Sequence, residues 1–202
     1  MINNFKFAVL ISGNGSNLQA LIDASIKGQI QGELNCVISN NPDAYGLIRA
    51  KKAGIFHTVV NNKEFETREK FDLEMIKVLD KINPDLVVLA GFMRILSPVF
   101  IEKFKGKIIN IHPSLLPKYP GLETHQKVLQ NGDKEHGVTV HFVDESLDGG
   151  PICAQSSMEV KTSNIEELKE QVHSLEHKLY PEVVSEFSKG LLTIENKKII
   201  LQ

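Results

Sequence analysis

Residues 107–117 read Lys107-Ile108-Ile109-Asn110-Ile111-His112-Pro113-Ser114-Leu115-Leu116-Pro117. The nearly continuous β-branched isoleucines are typical of a parallel strand that is covered on both faces, and Pro113 ends the ladder because it lacks a backbone donor. Asn110 and His112 therefore share one face at the carboxyl end of this strand. Strand ends of this kind line the ligand crevice of open α/β sheets, so we predict that this amide and imidazole act together in a site. The alternative is a histidine that merely caps a loop.

Apolar runs alternate with helical patterns along most of the chain. Strands are predicted at residues 7–11, 34–38, 56–60, 86–90, 108–111, 138–143 and 152–160. Helical spacing predicts three early helices, with the apolar stripes Leu18, Leu21, Ile22 and Ile26, then Tyr45, Ile48 and Ala53, then Phe71, Met75, Val78 and Leu79. This alternation predicts a single α/β domain over residues 1–202, with an open, mainly parallel twisted sheet of the Rossmann-like kind and helices on both faces.

The later part of the chain is less regular. A helix over 124–129 is expected to end at Asn131-Gly132, and a long helix is predicted over 165–187. Pro181 should kink or interrupt that helix, because it lacks a backbone donor and its ring clashes with the preceding turn. The tail, residues 191–201, is expected to supply a last edge strand.

Composition limits the classes of function. The chain has 202 residues and a formal net charge of -2, with scattered cations instead of a basic stripe, so no nucleic-acid partner is expected. The first residues contain neither a long apolar run nor a cleavage site, so neither a signal peptide nor a membrane partner is expected. Cys36 and Cys153 lie in apolar runs and are interpreted as buried free thiols in a reducing, cytoplasmic compartment.

A glycine-rich loop follows the first predicted strand and reads Ser12-Gly13-Asn14-Gly15-Ser16-Asn17. At the start of a helix such a loop can present free backbone amides to an anion. Leu18 stands where a dinucleotide fingerprint needs a third small residue, and the Gly-Lys-Ser or Gly-Lys-Thr of a Walker loop does not occur. A monophosphate ligand is therefore favoured, the alternative being an ordinary turn in which Ser16 or Asn17 caps the helix.

Asp148 is a candidate acid partner for His112. It lies in a turn-rich loop, residues 144–151, whose two glycines and proline specify an unusual backbone. An acid on such a loop can reach a neighbouring strand end, orient an imidazole and stabilise its protonated form. Asp144 and Glu145 compete for this role, and a solvated turn aspartate is the alternative for Asp148.

The other histidines do not predict a metal site. His136 and His141 are five residues apart on a predicted strand and therefore point to opposite faces, which argues against a local metal clamp. No metal is assigned. The remaining histidines are interpreted as surface or capping groups, with His173 a weak candidate for phosphate contact: His57, His125, His173 and His177.

Four segments together resemble one family: 11–20 (ISGNGSNLQA), 89–98 (LAGFMRILSP), 110–121 (NIHPSLLPKYPG) and 147–151 (LDGGP). They resemble the phosphoribosylglycinamide formyltransferases, a branch of the folate-dependent formyltransferase family, and the resemblance extends over residues 7–181. The resemblance implies the formyltransferase fold, with an N-terminal phosphate-binding half over about residues 1–105 and a C-terminal catalytic and folate-binding half over about residues 106–202.

The resemblance also implies an activity and its residues. The implied reaction transfers the formyl group of 10-formyltetrahydrofolate to the amine of glycinamide ribonucleotide, in purine biosynthesis, by a monomer or homodimer that needs no metal. The implied catalytic residues are Asn110, His112 and Asp148. The implied substrate-binding residues are Gly15, Ser16, Asn17 and Glu176. The implied contacts to the folate are Arg68, Met93, Arg94, Ile95, Leu96 and Asn110.

The expected mechanism is direct attack of the amine through a tetrahedral intermediate, whose oxygen Asn110 and His112 would stabilise. Ser114 lacks the glycine-flanked elbow of a serine hydrolase, so an acyl-enzyme is the weaker interpretation. Competing assignments are a methionyl-tRNA formyltransferase or a formyltetrahydrofolate hydrolase, each expected to need a further domain for which this chain has no room. A catalytically silent nucleotide-binding protein is the third, and the presence of all three implied catalytic residues argues against it.

Overall fold

The computed structural model describes residues 5–195 and 198–201. Fifteen elements follow one another along these residues: β1 (Phe5–Ile11), α1 (Ser16–Ile26), β2 (Gly32–Ser39), α2 (Tyr45–Lys52), β3 (His57–Val59), α3 (Arg68–Ile82), β4 (Leu86–Leu89), α4 (Pro98–Lys103), β5 (Ile108–His112), α5 (Thr124–Asn131), β6 (Glu135–Phe142), β7 (Ile152–Glu159), α6 (Ile165–Ser188), β8 (Leu192–Glu195) and β9 (Lys198–Leu201). A 3-10 turn at Asn62–Glu64 precedes α3. All seven strands predicted up to residue 160 are present.

Seven strands form one sheet in the order β3-β2-β1-β4-β5-β6-β7. The first five are parallel to their neighbours, whereas β6 runs antiparallel to β5, and β7 antiparallel to β6. The mainly parallel sheet is therefore confirmed. Because the chain moves outward from β1 in both directions, the order reverses between β1 and β4, and ligands bind at such a reversal in open α/β sheets.

Helices cover both faces of the sheet, as predicted. Alternate residues of β1 belong to different hydrophobic clusters: Phe7 and Val9 pack with α1 and α6, while Ala8 and Leu10 pack with α3 and α4. These strand residues are fully buried. Burial on both faces explains why the parallel strands read as continuous apolar runs instead of alternating ones.

The predicted helices form, but two of the predicted stripes are partly wrong. On α2 the buried residues are Gly46 and Ala50, whereas Tyr45 and Ile48 are exposed. The reason is a close approach of α2 to the glycine loop, which needs small residues on the inner face. Ile26, at the end of α1, is also exposed and does not join the core.

Helix α6 runs without interruption from Ile165 to Ser188, so the predicted interruption at Pro181 is wrong. Tyr180, Pro181 and Val184 are all buried, and the Tyr180 hydroxyl contacts the sheet. A proline inside a helix costs about 3 kcal/mol, and burial of one large side chain contributes a similar amount. Packing of this face therefore offsets the cost.

Two further features differ from the predictions. The tail forms a separate two-stranded antiparallel sheet, β8 with β9, instead of an edge strand on the main sheet. Helix α4 was not predicted, because its six residues are too few to show a helical pattern of apolar residues. It begins with Pro98 at its first position. In the described part of the chain, no helix combines the length and apolar character that a membrane span requires.

Candidate active site

The carboxyl end of β5 carries His112, which is 6% exposed and has an oxygen acceptor at each ring nitrogen. Its Nε2 lies 2.8 Å from the Tyr119 carbonyl oxygen, and its Nδ1 lies 3.4 Å from Oδ2 of Asp148. The structure thus brings His112 and Asp148 together, at ion-pair distance. Nε2 is in position to donate to the Tyr119 carbonyl, and the Asp148 carboxylate lies beside the other ring nitrogen.

Asp148 reaches His112 because of the backbone of its loop. Asp148 has a left-handed φ of 50°, and its Oδ2 accepts a hydrogen bond of 2.8 Å from the Gly121 amide. A Cβ on Gly150 would lie 1.9 Å from the Phe142 carbonyl oxygen, so only glycine fits there. Asp144 instead accepts a bond of 2.9 Å from the Ser146 amide within the turn. Asp148 is therefore the acid of this loop that faces His112.

Sequence reasoning missed His141 as a member of this site. Asn110 and His141 are paired across β5 and β6, and Asn110 Nδ2 lies 3.3 Å from His141 Nε2. His141 Nδ1 donates to the Phe142 carbonyl at 2.9 Å, and burial lowers the pKa of His141. A neutral ring that donates through Nδ1 accepts through Nε2, so His141 fixes the orientation of the Asn110 amide. Only the register of β6 against β5, which hydrophobic periodicity does not give, would have identified it.

The loop after β5 is held by side chains of β6 and β7. Thr139 Oγ1 donates to the Ser114 carbonyl at 2.7 Å and accepts from the Leu116 amide at 3.1 Å. Gln155 Nε2 donates to the Leu116 carbonyl and to Thr139 Oγ1, both at 2.9 Å. Ser114 Oγ is occupied by the Lys118 carbonyl at 2.6 Å. This network holds the loop that carries the Tyr119 carbonyl facing His112. Ser114 therefore has a structural role in the loop.

The glycine loop leaves the start of α1 open. Gly15 is the N-cap residue with a left-handed φ of 74°, and no side chain caps the helix, so the interpretation in which Ser16 or Asn17 caps it is wrong. The first amides of α1 therefore have no intrahelical acceptor. Asn17 Nδ2 instead donates to Glu176 Oε2 at 2.9 Å, and both residues are buried. The structure thus joins two predicted substrate-binding residues from α1 and α6.

Glu176 is 5% exposed, and its burial raises the pKa of its carboxyl group. The hydrogen bond from Asn17 and the charge of His173 oppose this shift. A polar ligand that donates a hydrogen bond at this position would favour the charged carboxylate.

The segment between β4 and α4 contains four of the six predicted folate contacts, residues 93–96. Met93 and Ile95 are 66% and 68% exposed, whereas Leu96 is buried. The Met93 amide donates to Ser12 Oγ at 2.7 Å, so this segment is attached to the glycine loop. Arg94 is exposed on the same segment.

Arg68 lies on the first turn of α3, with Nη2 at 3.8 Å from Glu69 Oε1. One turn later Asp72, which is fully buried, accepts a bond of 2.5 Å from the Ser97 amide. Asp72 thereby holds the end of segment 93–97 against the helix that carries Arg68.

Comparison with known proteins gives the family. The family model described as formyl transferase matches residues 5–184. The chain belongs to the formyl transferase family. It is 53% identical to the phosphoribosylglycinamide formyltransferase of Escherichia coli strain K12, over 93% of this chain and 89% of that protein. It is also 42% identical to the human trifunctional purine biosynthetic protein adenosine-3, over 98% of this chain and 21% of that protein.

Solved structures of formyl transferases share the fold. The phosphoribosylglycinamide formyltransferase of Coxiella burnetii superposes with a TM-score of 0.94 at 47% identity, covering 98% of this chain and 94% of that one. The glycinamide ribonucleotide transformylase 1 of Symbiobacterium toebii gives a TM-score of 0.94 at 40% identity, with the same two coverages. The fold and family implied by the resemblance are therefore confirmed.

The remaining histidines of this formyl transferase are not all surface groups. His125 is half-buried, and its Nδ1 lies 3.0 Å from Nε2 of His136, which is 1% exposed. Burial lowers the pKa of each to about 4. His173 is exposed and stacks on His177, and no contact to a phosphate site is established for it.

The two cysteines of the formyl transferase are free, and burial raises the pKa of both Cys36 and Cys153 to about 12, which makes them poor nucleophiles. Among the residues that the structure describes, no group of three or more histidine, cysteine, aspartate or glutamate side chains could hold a metal ion.

Proposed function

We propose that this formyl transferase transfers the formyl group of 10-formyltetrahydrofolate to the amine of glycinamide ribonucleotide, in de novo purine biosynthesis. The observation that carries the proposal is the position of Asn110, His112 and Asp148. Asn110 and His112 lie at the end of β5, and Asp148 faces His112 from the loop between β6 and β7. The open glycine loop and segment 93–97 follow β1 and β4, the neighbouring strands, at the same edge of the sheet. A phosphate site, an apolar site and proton-transfer groups in one crevice match the two substrates.

The glycine loop is assigned to the acceptor's phosphate. The free amides at residues 15–17 and the positive end of α1 favour a phosphate dianion. Glu176, buried and joined to Asn17, is assigned to a hydroxyl group of the ribose, because that hydroxyl can donate to the carboxylate. Gly15, Ser16, Asn17 and Glu176 together define the acceptor site.

Segment 93–96 is assigned to the donor. Its exposed apolar side chains, Met93 and Ile95, suit a flat pterin that is recognised by shape and by main-chain hydrogen bonds. Arg68 and Arg94 are exposed cations at this end and are assigned to the carboxylates of the folate tail. The formyl carbon would then lie beside Asn110.

The proposed reaction needs no covalent enzyme intermediate. The acceptor amine attacks the formyl carbon, and a carbon–nitrogen bond forms as the formyl oxygen becomes an oxyanion. Asn110 Nδ2 and protonated His112 stabilise that oxygen. The bond between the formyl carbon and N10 of the folate then breaks as protonated His112 gives its proton to N10, and the neutral imidazole takes up the proton lost by the amine. Asp148 stabilises the imidazolium that is present before and after this exchange.

These side chains supply both oxyanion stabilisation and proton transfer, so the proposed chemistry requires no metal ion. We place the acceptor's phosphate in an N-terminal half, about residues 1–105, and the chemistry in a C-terminal half, about residues 106–202, of one domain. We further propose a cytoplasmic enzyme that acts as a monomer or homodimer and has no nucleic-acid or membrane partner.

The test is steady-state formation of tetrahydrofolate from 10-formyltetrahydrofolate, with and without glycinamide ribonucleotide. We expect product only with the acceptor, together with formylated acceptor by mass spectrometry. Substitution His112→Ala should lower kcat on the order of a hundredfold, because an oxyanion donor and the proton carrier are both lost. His57→Ala, on the edge strand β3, is the matched control and should keep wild-type activity.

Two outcomes contradict the proposal. Folate turnover that does not depend on the acceptor would make the protein a hydrolase, and absence of turnover with tight ribonucleotide binding would make it a silent binding protein. Full activity of the His112→Ala protein would leave the transferase assignment intact and remove His112 from the mechanism.

A further inference from the structure

The glycine loop is held from the side by α2. Arg49 is the fifth residue of this helix. It donates from Nε to the Asn14 carbonyl at 3.0 Å and from Nη2 to Asn14 Oδ1 at 3.0 Å. Its Nη1 donates to Gln19 Oε1 of α1 at 3.1 Å. One guanidinium thus binds the main chain and the side chain of the loop's central residue and also the helix that the loop begins.

The backbones of α2 and the loop also touch. The Gly46 amide donates to the Gly13 carbonyl at 3.1 Å, and a Cβ on Gly15 would lie 2.8 Å from the Gly46 Cα. Gly15 adopts the left-handed φ that permits this approach. This close contact restricts the backbone conformation of the loop. The Arg49 hydrogen bonds lie one turn further along α2.

The guanidinium is itself fixed in place. Its central carbon lies 4.9 Å from the centre of the Tyr45 ring, on the preceding turn of α2, in a cation–π contact. Tyr45 is 44% exposed, so this stacking, and not core packing, accounts for its position. A rigid planar fork of this kind loses little conformational entropy when it forms its hydrogen bonds.

We propose that Arg49 is a positioning residue for the acceptor's phosphate: it holds Asn14 so that the open amides at the start of α1 face the ligand. This inference rests on the proposed function of the loop as a phosphate site. Arg49 binds the loop and not the reacting atoms, so its effect belongs to acceptor binding and not to the chemical step. We call these Arg49 hydrogen bonds to Asn14 and Gln19 the Arg49 clamp. Without the clamp the loop must be ordered when the acceptor binds, and the entropy lost in that ordering weakens binding.

The test compares two substitutions that separate geometry from charge. Arg49→Lys keeps the positive charge but loses the planar fork, whereas Arg49→Met loses both. We expect each to raise KM for glycinamide ribonucleotide roughly tenfold, as loss of charge-assisted hydrogen bonds to a binding loop does. We expect kcat and the KM for 10-formyltetrahydrofolate to stay within about twofold, since Arg49 contacts Asn14 and Gln19 and not Ser12, the residue that joins the loop to the donor segment. Lys52→Met, which removes one exposed charge from the same helix, is the control and should leave all three constants unchanged.

Three outcomes overturn the proposal. If Arg49→Lys retains the wild-type KM while Arg49→Met does not, charge alone acts and the clamp has no role. Unchanged KM in both variants, or a fall in kcat at unchanged KM, also excludes it.

A measurement without substrates separates this inference from the proposed function. Amide hydrogen exchange at Gly46 and Gln19, whose amides donate to the loop carbonyls of Gly13 and Gly15, should accelerate in both Arg49 variants and stay unchanged in Lys52→Met. Unaltered exchange in the Arg49 variants overturns the clamp even when transfer activity is normal. A wild-type protein that exchanges slowly here but transfers no formyl group instead refutes the function and leaves the clamp standing.

Discussion

At the scale of single residues, the site depends on groups that satisfy one another. His112 is placed between the Tyr119 carbonyl and Asp148, while the Asn110 amide is oriented by His141. Each pair joins a side chain of β5 to a group from a different segment. The catalytic geometry is therefore not a local property of the strand end, although the strand end supplies two of its members.

Replacing Asp148 by asparagine should lower kcat on the order of a hundredfold at neutral pH, because the amide keeps the shape but cannot stabilise the imidazolium. The Gly121 amide still finds an oxygen acceptor in the variant, so the loop should keep its structure. Steady-state kinetics with both substrates saturating, supported by circular dichroism, measure this. Glu145→Gln, an exposed change in the same loop, should remain within about threefold of wild type, and a comparable loss there would assign the effect to loop charge instead of Asp148.

At the scale of elements, α6 connects the two parts of the site. Near its middle it supplies Glu176 to the acceptor site, and one turn later it places the Tyr180 hydroxyl on the sheet. That hydroxyl lies 2.9 Å from the Leu89 carbonyl and 3.2 Å from the Ile109 carbonyl. The helix thus contacts β4 at its last residue, Leu89, which precedes the donor segment, and β5 at Ile109, directly before Asn110.

We expect Tyr180→Phe to lower the free energy of unfolding by about 1–2 kcal/mol, since a buried hydrogen bond is lost while the ring still fills its space. Urea denaturation followed by circular dichroism measures the change. Tyr45→Phe, on the exposed side of α2, should shift stability by less than about 0.5 kcal/mol. Equal effects of the two substitutions would mean that the hydroxyl contacts to the sheet contribute nothing specific.

The elements themselves were predictable because their signals are local. Isoleucine and valine runs identified β1, β4 and β5, and the Asn131-Gly132 pair identified the end of α5. Pro181 was misjudged because its local cost is offset by packing against a sheet that lies far away in sequence. The inner face of α2 was misjudged for the same reason, because Gly46 packs tightly on Ile11 and on Gly15, which are distant in sequence.

At the scale of the whole molecule, the strand order brings together three motifs that are distant in sequence. The glycine loop follows β1, the donor segment follows β4, and Asn110 and His112 end β5, which are consecutive strands in the sheet. This arrangement follows from the sequence pattern, because parallel strands end at the same edge. Contacts that need a strand register or a side-chain packing, such as Asn110 with His141 or Arg49 with Asn14, do not follow from it.

Acid should destabilise the folded chain through the pair His125 and His136. Burial lowers the pKa of both to about 4 in the folded state, whereas an unfolded histidine has a pKa near 6.5. Between these values the unfolded state binds more protons, so stability is fully present above about pH 6.5 and falls as the pH drops toward 4, by at most about 1.4 kcal/mol per pH unit for each histidine.

Urea denaturation at pH 8, 6 and 5 checks this expectation, with His125→Gln as the comparison. The variant removes one of the two titrating groups and should show a shallower loss of stability between pH 8 and pH 5. The measurement at pH 8 serves as the internal control, because both histidines are neutral there in either state. Identical slopes in the two proteins would assign the acid sensitivity to other groups.

The hydroxyl of Ser12 connects the two proposed substrate sites directly. It donates to Asn40 Oδ1 at 2.5 Å and accepts from the Met93 amide at 2.7 Å, so the glycine loop and the donor segment share one hydrogen-bonded residue. A ligand that shifts either segment alters the other through this link. Thermodynamic linkage then requires reciprocity: whatever factor the ribonucleotide imposes on the affinity for folate, folate imposes on the affinity for the ribonucleotide.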